Sequence, residues 1–455
     1  MLKRYNFSLG LTWLVIFFVI PLPLLQTLSA GLPAIYSSQS QAIYLGAIAY
    51  AWMLTSIYLA TKPHWLDRLI GLPDMYMIHG IISILAIGLA YLHKFGNPSD
   101  GWIRTTGDWA IYLFTGIMVY SMIFMAGWFT SRIPFLAKLK RMLETVFKHE
   151  LSVWLHRLNL IATLLVFIHV QLISYVTAIH PFMFVFYAYS SIVFISYVMS
   201  KVRSQLGDTR GTVMTNEVLA PNVQELTITP QKHYQLNLRM GDFAFISFPD
   251  LKGLKEYHPF SIVNPPSDDS QHIKLDIRGD GDFTKLLSEI KPGVAVKLSG
   301  GYGRYHSFLE DNDQDHHIVM IAGGIGVTPL LSIVEGSPER HISLFYSAHY
   351  DHDLIYLNQL KDWHQRDNFN LHYQVGRYSE ADVLNHQLHD LPNNTIFLIS
   401  GPAPMIRYWK RTLKKKWYSK WANVRRRIYL VIKKSPVNMT ELFYVDIDIN
   451  GYKSL

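Results

Sequence analysis

Six apolar runs crowd the first 200 residues, near positions 9–28, 42–60, 74–93, 108–129, 152–178 and 181–200. Each comes close to the roughly 20 residues that a helix needs to cross the hydrocarbon core of a bilayer. Backbone groups in lipid must be satisfied within their own segment, so helices are the form expected of these runs. Basic residues recur at alternate ends: Lys3 and Arg4, then Lys62 and Arg68, then Arg132, Lys138, Lys140, Arg141 and Lys148, then Lys201 and Arg203. That alternation predicts a multi-pass membrane protein with both termini cytoplasmic. The first run has a competing reading as a signal peptide, because Leu28-Ser29-Ala30 loosely resembles a cleavage site. Its length exceeds a usual signal core and favours a span.

The rest of the chain is different in texture. At 455 residues it is too long for one compact domain, and its 49% hydrophobic content is concentrated in the first part. The absence of cysteine removes disulfides, thiolate-held iron–sulfur clusters and cysteine nucleophiles, so metal chemistry must run through histidine or carboxylate. The net charge of +8 gathers beside the apolar runs and toward the C-terminus, as suits an anionic lipid surface. No nucleic-acid motif is present, and no nucleic-acid partner is expected.

Four histidines lie inside the apolar runs: His79 and His93 in the third, His156 and His169 in the fifth. An imidazole in hydrocarbon forgoes hydrogen bonds to water at a cost of about 1–3 kcal/mol unless something satisfies it, and intramembrane ionisable residues mark functional sites. Imidazole is also an axial ligand of haem iron. The spacing of 14 in the third run puts both rings on one face, about 21 Å apart along the axis. The spacing of 13 in the fifth leaves its two rings roughly 140° out of register in an ideal helix, so a kink or a change of winding is required if both are ligands. With both helices running outward, the expected pairs are His79 with His156 and His93 with His169. Packing histidines, or a proton relay, are the competing readings. His64, His149 and His180 fall at membrane edges and are expected there as interfacial residues, while His316, His317 and His352 read as surface residues.

After residue 204 short alternating strands predict a small antiparallel barrel, as at 213–218, 243–248 and 272–278. From about 316 the pattern becomes strand, turn, helix, strand, which predicts a parallel α/β domain. The expected organisation is thus 1–204 transmembrane, 205–312 barrel, 313–430 α/β, with 431–455 unassigned. Two segments suit a flavin. His258-Pro259-Phe260-Ser261 offers an apolar wall and a hydroxyl, and Gly281-Asp282-Phe283-Thr284 opens a short helix whose backbone N–H groups suit a pyrophosphate. Gly323-Gly324-Ile325-Gly326-Val327-Thr328-Pro329 stands between a strand and a helix, where backbone can approach a phosphate. Gly300-Gly301-Tyr302-Gly303 and Ser400-Gly401-Pro402 add tight turns at strand ends, where α/β sheets hold ligands.

Over roughly residues 42–430 these features together resemble the ferric reductase and NADPH oxidase superfamily, in a compact bacterial form. The histidine spacings of 14 and 13 are similar to that family's bis-haem core. His258 to Ser261 resembles its flavin motif and Gly281 to Thr284 its flavin phosphate loop. Gly301-Tyr302-Gly303, Gly323 to Pro329 and Ser400-Gly401-Pro402 resemble its nicotinamide sites. The resemblance implies a six-helix transmembrane bundle holding two b-type haems on His79, His93, His156 and His169. A ferredoxin reductase-like module with FAD and NAD(P)H would follow. Ser400 stands where a cysteine is common in that family, and the tail beyond Arg425-Arg426-Arg427 has no counterpart.

The expected function is therefore transfer of electrons from cytoplasmic NAD(P)H through FAD and two haems to an acceptor outside, dioxygen or a ferric chelate. Lys94 and Arg104 make the outer side slightly basic, which favours oxygen or an anionic chelate. A reductase of a quinone or periplasmic protein, and a non-redox transporter with a nucleotide-binding domain, are the alternatives. NADH and NADPH are not separated: Ser347-Ala348-His349 lacks an arginine for a 2′-phosphate, Asp351 suits ribose hydroxyls, and Arg377 could compensate.

Overall fold

The computed structural model describes residues 5–124, 154–202, 209–231, 236–265, 272–310, 317–384, 395–420, 428–434 and 443–447. The chain divides into two compact units: Ser8–Pro63 with Asp74–Gln205, and Met1–Phe7 with His64–Pro73 and Leu206–Leu455.

The first unit is helical. Its elements are α1 (Phe7–Gly31), α2 (Ser40–Ala60), then, after the short α3 (His64–Ile70) of the other unit, α4 (Leu72–Gly96), α5 (Gly101–Phe124), α6 (Asn159–Gln171) and α7 (His180–Val202). Among the described residues four helical stretches are long and apolar enough to cross a membrane: Phe7–Gly31, Ala34–Ala60, Leu72–Gly96 and His180–Val202. The fourth expected run appears as α5, which starts earlier than its apolar stretch and carries Arg104 and Asp108 in its first two turns. The fifth appears as α6 preceded by helical residues 154–157, and the basic segment before it, with His149, lies outside the described residues. Helix α1 accommodates Pro21 and Pro23 through a π-helical turn at Val15–Val19, where Ile20 N–H bonds Val15 O at 2.9 Å.

Helix α2 is the middle of the unit. Ile43, Ala47, Tyr50 and Leu54 pack against Leu24 and Leu28 of α1 and Phe182, Met183 and Phe186 of α7. Its other side, Ala49 and Met53, meets Ala86 and Ile87 of α4, Ala110 and Phe114 of α5 and Ala162 of α6. Large apolar side chains such as Phe18, Phe184 and Phe194 point outward and are exposed, an exterior suited to lipid rather than water.

The second unit holds two sheets. The strands of the first are β1 (Thr209–Ala220), β2 (Val223–Pro230), β3 (Phe243–Ser247), β4 (His258–Ser261), β5 (Ile273–Arg278) and β6 (Ala295–Tyr302). They run antiparallel in the order β4-β3-β6-β1-β2-β5, and an isolated bridge between Ile262 and Leu275 brings the two edges together as the expected barrel. Alternation sorts the faces. Leu226, Ile228, Ile273, Leu275 and Ile277 fill the interior with Val213, Ile246 and Leu298, while Glu225, Lys274 and Asp276 point away from it.

The second sheet contains β7 (Ile318–Gly323), β8 (Ile342–Ala348), β9 (Phe369–Val375), β10 (Ile396–Gly401), β11 (Ile428–Lys434) and β12 (Phe443–Ile447), in the order β12-β11-β10-β7-β8-β9. All pairs are parallel except β11 with β12. The sheet therefore continues past residue 430, where the sequence reading stopped, because Phe443–Ile447 adds an antiparallel edge strand. Helices α9 (Thr328–Gly336), α10 (Leu357–Trp363) and α11 (Ala403–Lys420) supply the crossovers. Helix α11 buries Ile406, Trp409 and Leu413 at helical spacing against the sheet.

Candidate functional site

Strand order reverses between β7 and β10, where an open α/β sheet leaves a crevice at the carboxyl ends of its strands. Both glycine motifs of the α/β domain end there. Gly323 closes β7, Gly324 adopts a left-handed backbone (φ +54°), and Thr328-Pro329 begins α9. Ser400 pairs with Ala322, so the Ser400-Gly401-Pro402 turn lies beside this loop. The approach is very close: a Cβ on Gly326 would stand 2.5 Å from Ser400 O and 2.6 Å from Gly401 Cα. Only glycine permits two backbones to meet this way.

On the barrel, Pro259 and Phe260 pair with Phe245 and Ala244. The His258 ring stacks on Phe283, with centroids 3.9 Å apart, tying the His258–Ser261 strand to α8 (Asp282–Leu286). At the head of α8, Gly281 N–H donates to Thr284 Oγ1 at 2.9 Å. The two segments expected to hold a flavin are therefore one locally connected structure.

Gly301-Tyr302-Gly303 is engaged by α3. Gly303 N–H donates to Asp67 Oδ2 at 3.1 Å, Arg68 Nη1 donates to Gly303 O at 2.7 Å, and the Tyr302 ring stacks on His64 with centroids 4.4 Å apart. His64, expected at a membrane edge, thus packs on this turn. Arg68 also donates to both oxygens of the buried Asp242 carboxylate. His317, expected at the surface, is half-buried, with Nε2 3.0 Å from Ser343 Oγ, and burial lowers its pKa. His316 lies outside the described residues, and His352 and His180 are exposed as expected.

Sequence reasoning did not single out three further residues at the seam between barrel and α/β domain. Glu225 and Asp276 are cross-strand partners on β2 and β5. Both are buried, and the Tyr356 hydroxyl reaches both of them. Burial pushes the Asp276 carboxyl up to about 8, helped by the charge of Glu225. Asp351 follows β8 and Arg377 follows β9; both are exposed on neighbouring strand ends, joined where Gly376 N–H donates to Ala348 O at 2.8 Å.

In the helical unit the four histidines meet in the expected pairs. Ring centroids are 5.9 Å apart for His79 and His156 and 6.2 Å for His93 and His169. The awkward spacing of 13 is resolved by winding: Leu158 and Ile161 donate to Leu155 O and Leu158 O, three residues back, at a break between His156 and α6. Each Nδ1 faces a helix acceptor: Ser56 O at 2.9 Å for His79, Ala42 O at 2.8 Å for His93, Ser121 Oγ at 3.0 Å for His156 and Ile103 O at 2.8 Å for His169. No described residue hydrogen-bonds the Nε2 of any of the four.

This arrangement fits a haem. Two metal–imidazole bonds of about 2 Å, with each ring centroid about 1 Å behind its nitrogen, span about 6 Å in total. An outward Nδ1–H bond is also how a ligating imidazole is oriented. Among the described residues no three His, Asp or Glu side chains gather as a metal cage, and a porphyrin, which supplies four donors itself, needs only two. Glycines make room for the rings: a Cβ on Gly46 would lie 2.7 Å from His93 Nδ1, and one on Gly107 3.2 Å from His169 Nδ1.

Comparison with known proteins agrees with the second unit. Residues 210–327 match the model of a FAD-binding domain, and residues 320–411 match that of an oxidoreductase NAD-binding domain. The chain is 30% identical to the reductase component DmpP of phenol 2-monooxygenase from Pseudomonas sp. (strain CF600), over 31% of this chain and 39% of that protein. It is 27% identical to NADH-cytochrome b5 reductase 1 of Kluyveromyces lactis, over 35% and 61%. With NADPH oxidase 1 of Mus musculus it shares 27% identity over 30% and 23%. The chain thus spans less than two thirds of the length of these relatives. The second unit thus carries a FAD-binding domain followed by an oxidoreductase NAD-binding domain.

Proposed function

We propose that this protein is a membrane-embedded NAD(P)H oxidoreductase that moves electrons from cytoplasmic NAD(P)H, by way of FAD and two b-type haems, to an extracytoplasmic acceptor, dioxygen or a ferric chelate. The observation that carries the reading is the pairing of His79 with His156 and of His93 with His169 at ring distances a porphyrin iron would span. FAD supplies the change of stoichiometry, taking a two-electron hydride and releasing single electrons.

The chain's own residues have distinct tasks in this reading. The Gly323–Gly326 and Ser400–Pro402 turns hold nicotinamide at the crevice, and His258 to Ser261 with Gly281 to Thr284 hold the flavin. Ser56, Ala42, Ser121 and Ile103 orient the four imidazoles through Nδ1. Next to His93, Lys94 of α4 bonds Asp108 of α5 at 2.8 Å, and Arg104 of α5 approaches the same carboxylate at 3.7 Å. One carboxylate against two cations leaves that cluster positive, which suits oxygen reduction or an anionic chelate.

The test is anaerobic reduction of purified protein by NADH and by NADPH, followed by oxygen or ferric citrate while haem and flavin absorbance are recorded. A Soret band that shifts on reduction and returns with one acceptor supports the reading and names the acceptor. Folded protein without haem absorbance overturns it.

A further inference from the structure

We propose that Asp276 is held as a carboxylic acid and that, together with Tyr356, it is a positioning residue that fastens the nicotinamide-binding loop to the flavin barrel. The proposal rests on the flavin and nicotinamide part of the preceding reading and is independent of the haems.

The argument begins with direction. Asp276 and Glu225 sit on the outward-pointing positions of β5 and β2, where water would normally cover a carboxylate. Here both are buried, beneath Thr328 and Tyr356 of the α/β domain. They stand directly opposite each other in the antiparallel pair, and like charges so placed repel.

Counting protons then decides the state. The Tyr356 hydroxyl has one hydrogen, yet it contacts Glu225 Oε2 and lies 2.9 Å from Asp276 Oδ1. One of these contacts therefore needs a proton on a carboxyl. Lys274 Nζ lies 3.1 Å from Glu225 Oε1, whereas no described cation bonds Asp276 and burial favours its neutral acid, so the proton belongs to Asp276. Thr328 leads to the same assignment. Its hydroxyl donates to Ile325 O at 2.8 Å and has no second hydrogen for Asp276 Oδ2 at 3.4 Å. A proton on Asp276 satisfies either neighbour.

The placement gives the proton its role. Thr328 closes the Gly323–Gly326 loop, and β5 runs three residues later into the Gly281 turn of the flavin segment. Tyr356 adopts a left-handed backbone (φ 59°), a conformation that costs a non-glycine residue energy and persists where surrounding contacts impose it. The other ionisable groups facing Asp276 are Lys274 on its own strand and Tyr346 of β8, whose hydroxyl donates to Asp353 O at 3.1 Å. None of these supplies a second cation inside the seam.

Burial raises the Asp276 carboxyl to about 8 from 3.8. A group raised in the folded state contributes its stabilisation at low pH and loses it as pH climbs through the folded value. The fastened population therefore falls, by up to about tenfold per pH unit, as pH climbs from the ordinary carboxylate range toward about 8, and it levels off above that value, where two carboxylates face one hydroxyl.

The test is stopped-flow reduction of the protein's own flavin by NAD(P)H, with KM and limiting rate followed from about pH 6 to about pH 9.5. In the wild type KM is expected to rise steeply from about pH 6 and to level off above about pH 8 while the limiting rate changes little. Asp276→Asn, which cannot ionise, should remove the pH dependence of KM, and Tyr356→Phe should show at neutral pH the high KM that the wild type shows at alkaline pH. A wild type whose flavin is reduced with a flat profile, an unaltered rise in Asp276→Asn, or a wild-type profile in Tyr356→Phe would each overturn the assignment. A wild-type flavin that no nicotinamide reduces at any pH would overturn the functional reading beneath it.

Discussion

Arg68 and Asp242, 174 positions apart in sequence, meet in a two-pronged ion pair: Nη1 donates to Oδ1 at 2.9 Å and Nη2 to Oδ2 at 2.8 Å. The aspartate is fully buried and also accepts from Arg239 N–H at 3.0 Å. Removing one partner of such a pair strands the other charge, so Arg68→Met should lower the stability of the flavin-binding unit by about 3 kcal/mol. For a module of this size that is on the order of 5–10 °C in the temperature of flavin release. Fluorescence of released flavin during heating measures it, and a midpoint equal to that of the wild type would show the pair to be ornamental. The double variant Arg68→Met with Asp242→Asn should recover part of the loss, because no uncompensated charge is left.

Arg68 also shows what the sequence could and could not reveal. Read locally, it was one more basic residue beside an apolar run, and its docking on Asp242 depends on a pairing that no local pattern encodes. The glycine loops were legible because the close approach of Gly326 to Ser400 restricts the residue type at that position. The four histidines were legible as residues but not in their register, since the tightened turn around Leu158 has neither proline nor glycine to announce it. Asp276 was hidden for a related reason. Strand alternation assigns it to the solvent side of β5, and only the α/β domain, folding over that face with Tyr356, buries it. The edge strand Phe443–Ile447 likewise needed its partner β11 to become visible.

In the proposed reading, binding of an outer haem should depend on both His93 and His169. With centroids 6.2 Å apart, neither ring alone gives an iron two axial ligands. His93→Leu and His169→Leu should each halve haem per polypeptide in a pyridine haemochromogen assay and stop turnover with the acceptor. Flavin reduction by NAD(P)H should continue, because the motifs for both cofactors lie in the other unit. Full haem content in both variants would refute the ligand assignment.

A milder change reaches the same histidine through space. Gly46→Ala would put a methyl group 2.7 Å from His93 Nδ1, on the edge that bonds Ala42 O. The ring must turn or retreat, so this variant should lose the outer haem while keeping the inner one, with one of two waves missing in a spectroelectrochemical titration. Gly107→Ala, whose methyl group would lie 3.2 Å from His169 Nδ1, needs only a few tenths of an ångström of movement and should keep both waves. Two waves in Gly46→Ala would mean that the outer haem does not depend on His93 as positioned here.

The nicotinamide crevice offers a complementary test in which the flavin itself reports. Gly326→Ala would drive a Cβ to within 2.5 Å of Ser400 O and 2.6 Å of Gly401 Cα, and both contacts are backbone, which cannot swing aside as a side chain would. The Gly323–Gly326 loop and the Ser400–Pro402 turn must separate. Overpacking of this kind costs about 1–3 kcal/mol, which corresponds to a loss of roughly 5- to 150-fold in nicotinamide affinity. The flavin motif on β4 and α8 is not part of that contact, so FAD content should remain full. Titrating the oxidised protein with NAD+ and NADP+ while following the flavin absorbance reads the affinity directly. Unchanged binding of both nucleotides would show that the crevice at the ends of β7 and β10 is not where nicotinamide is held.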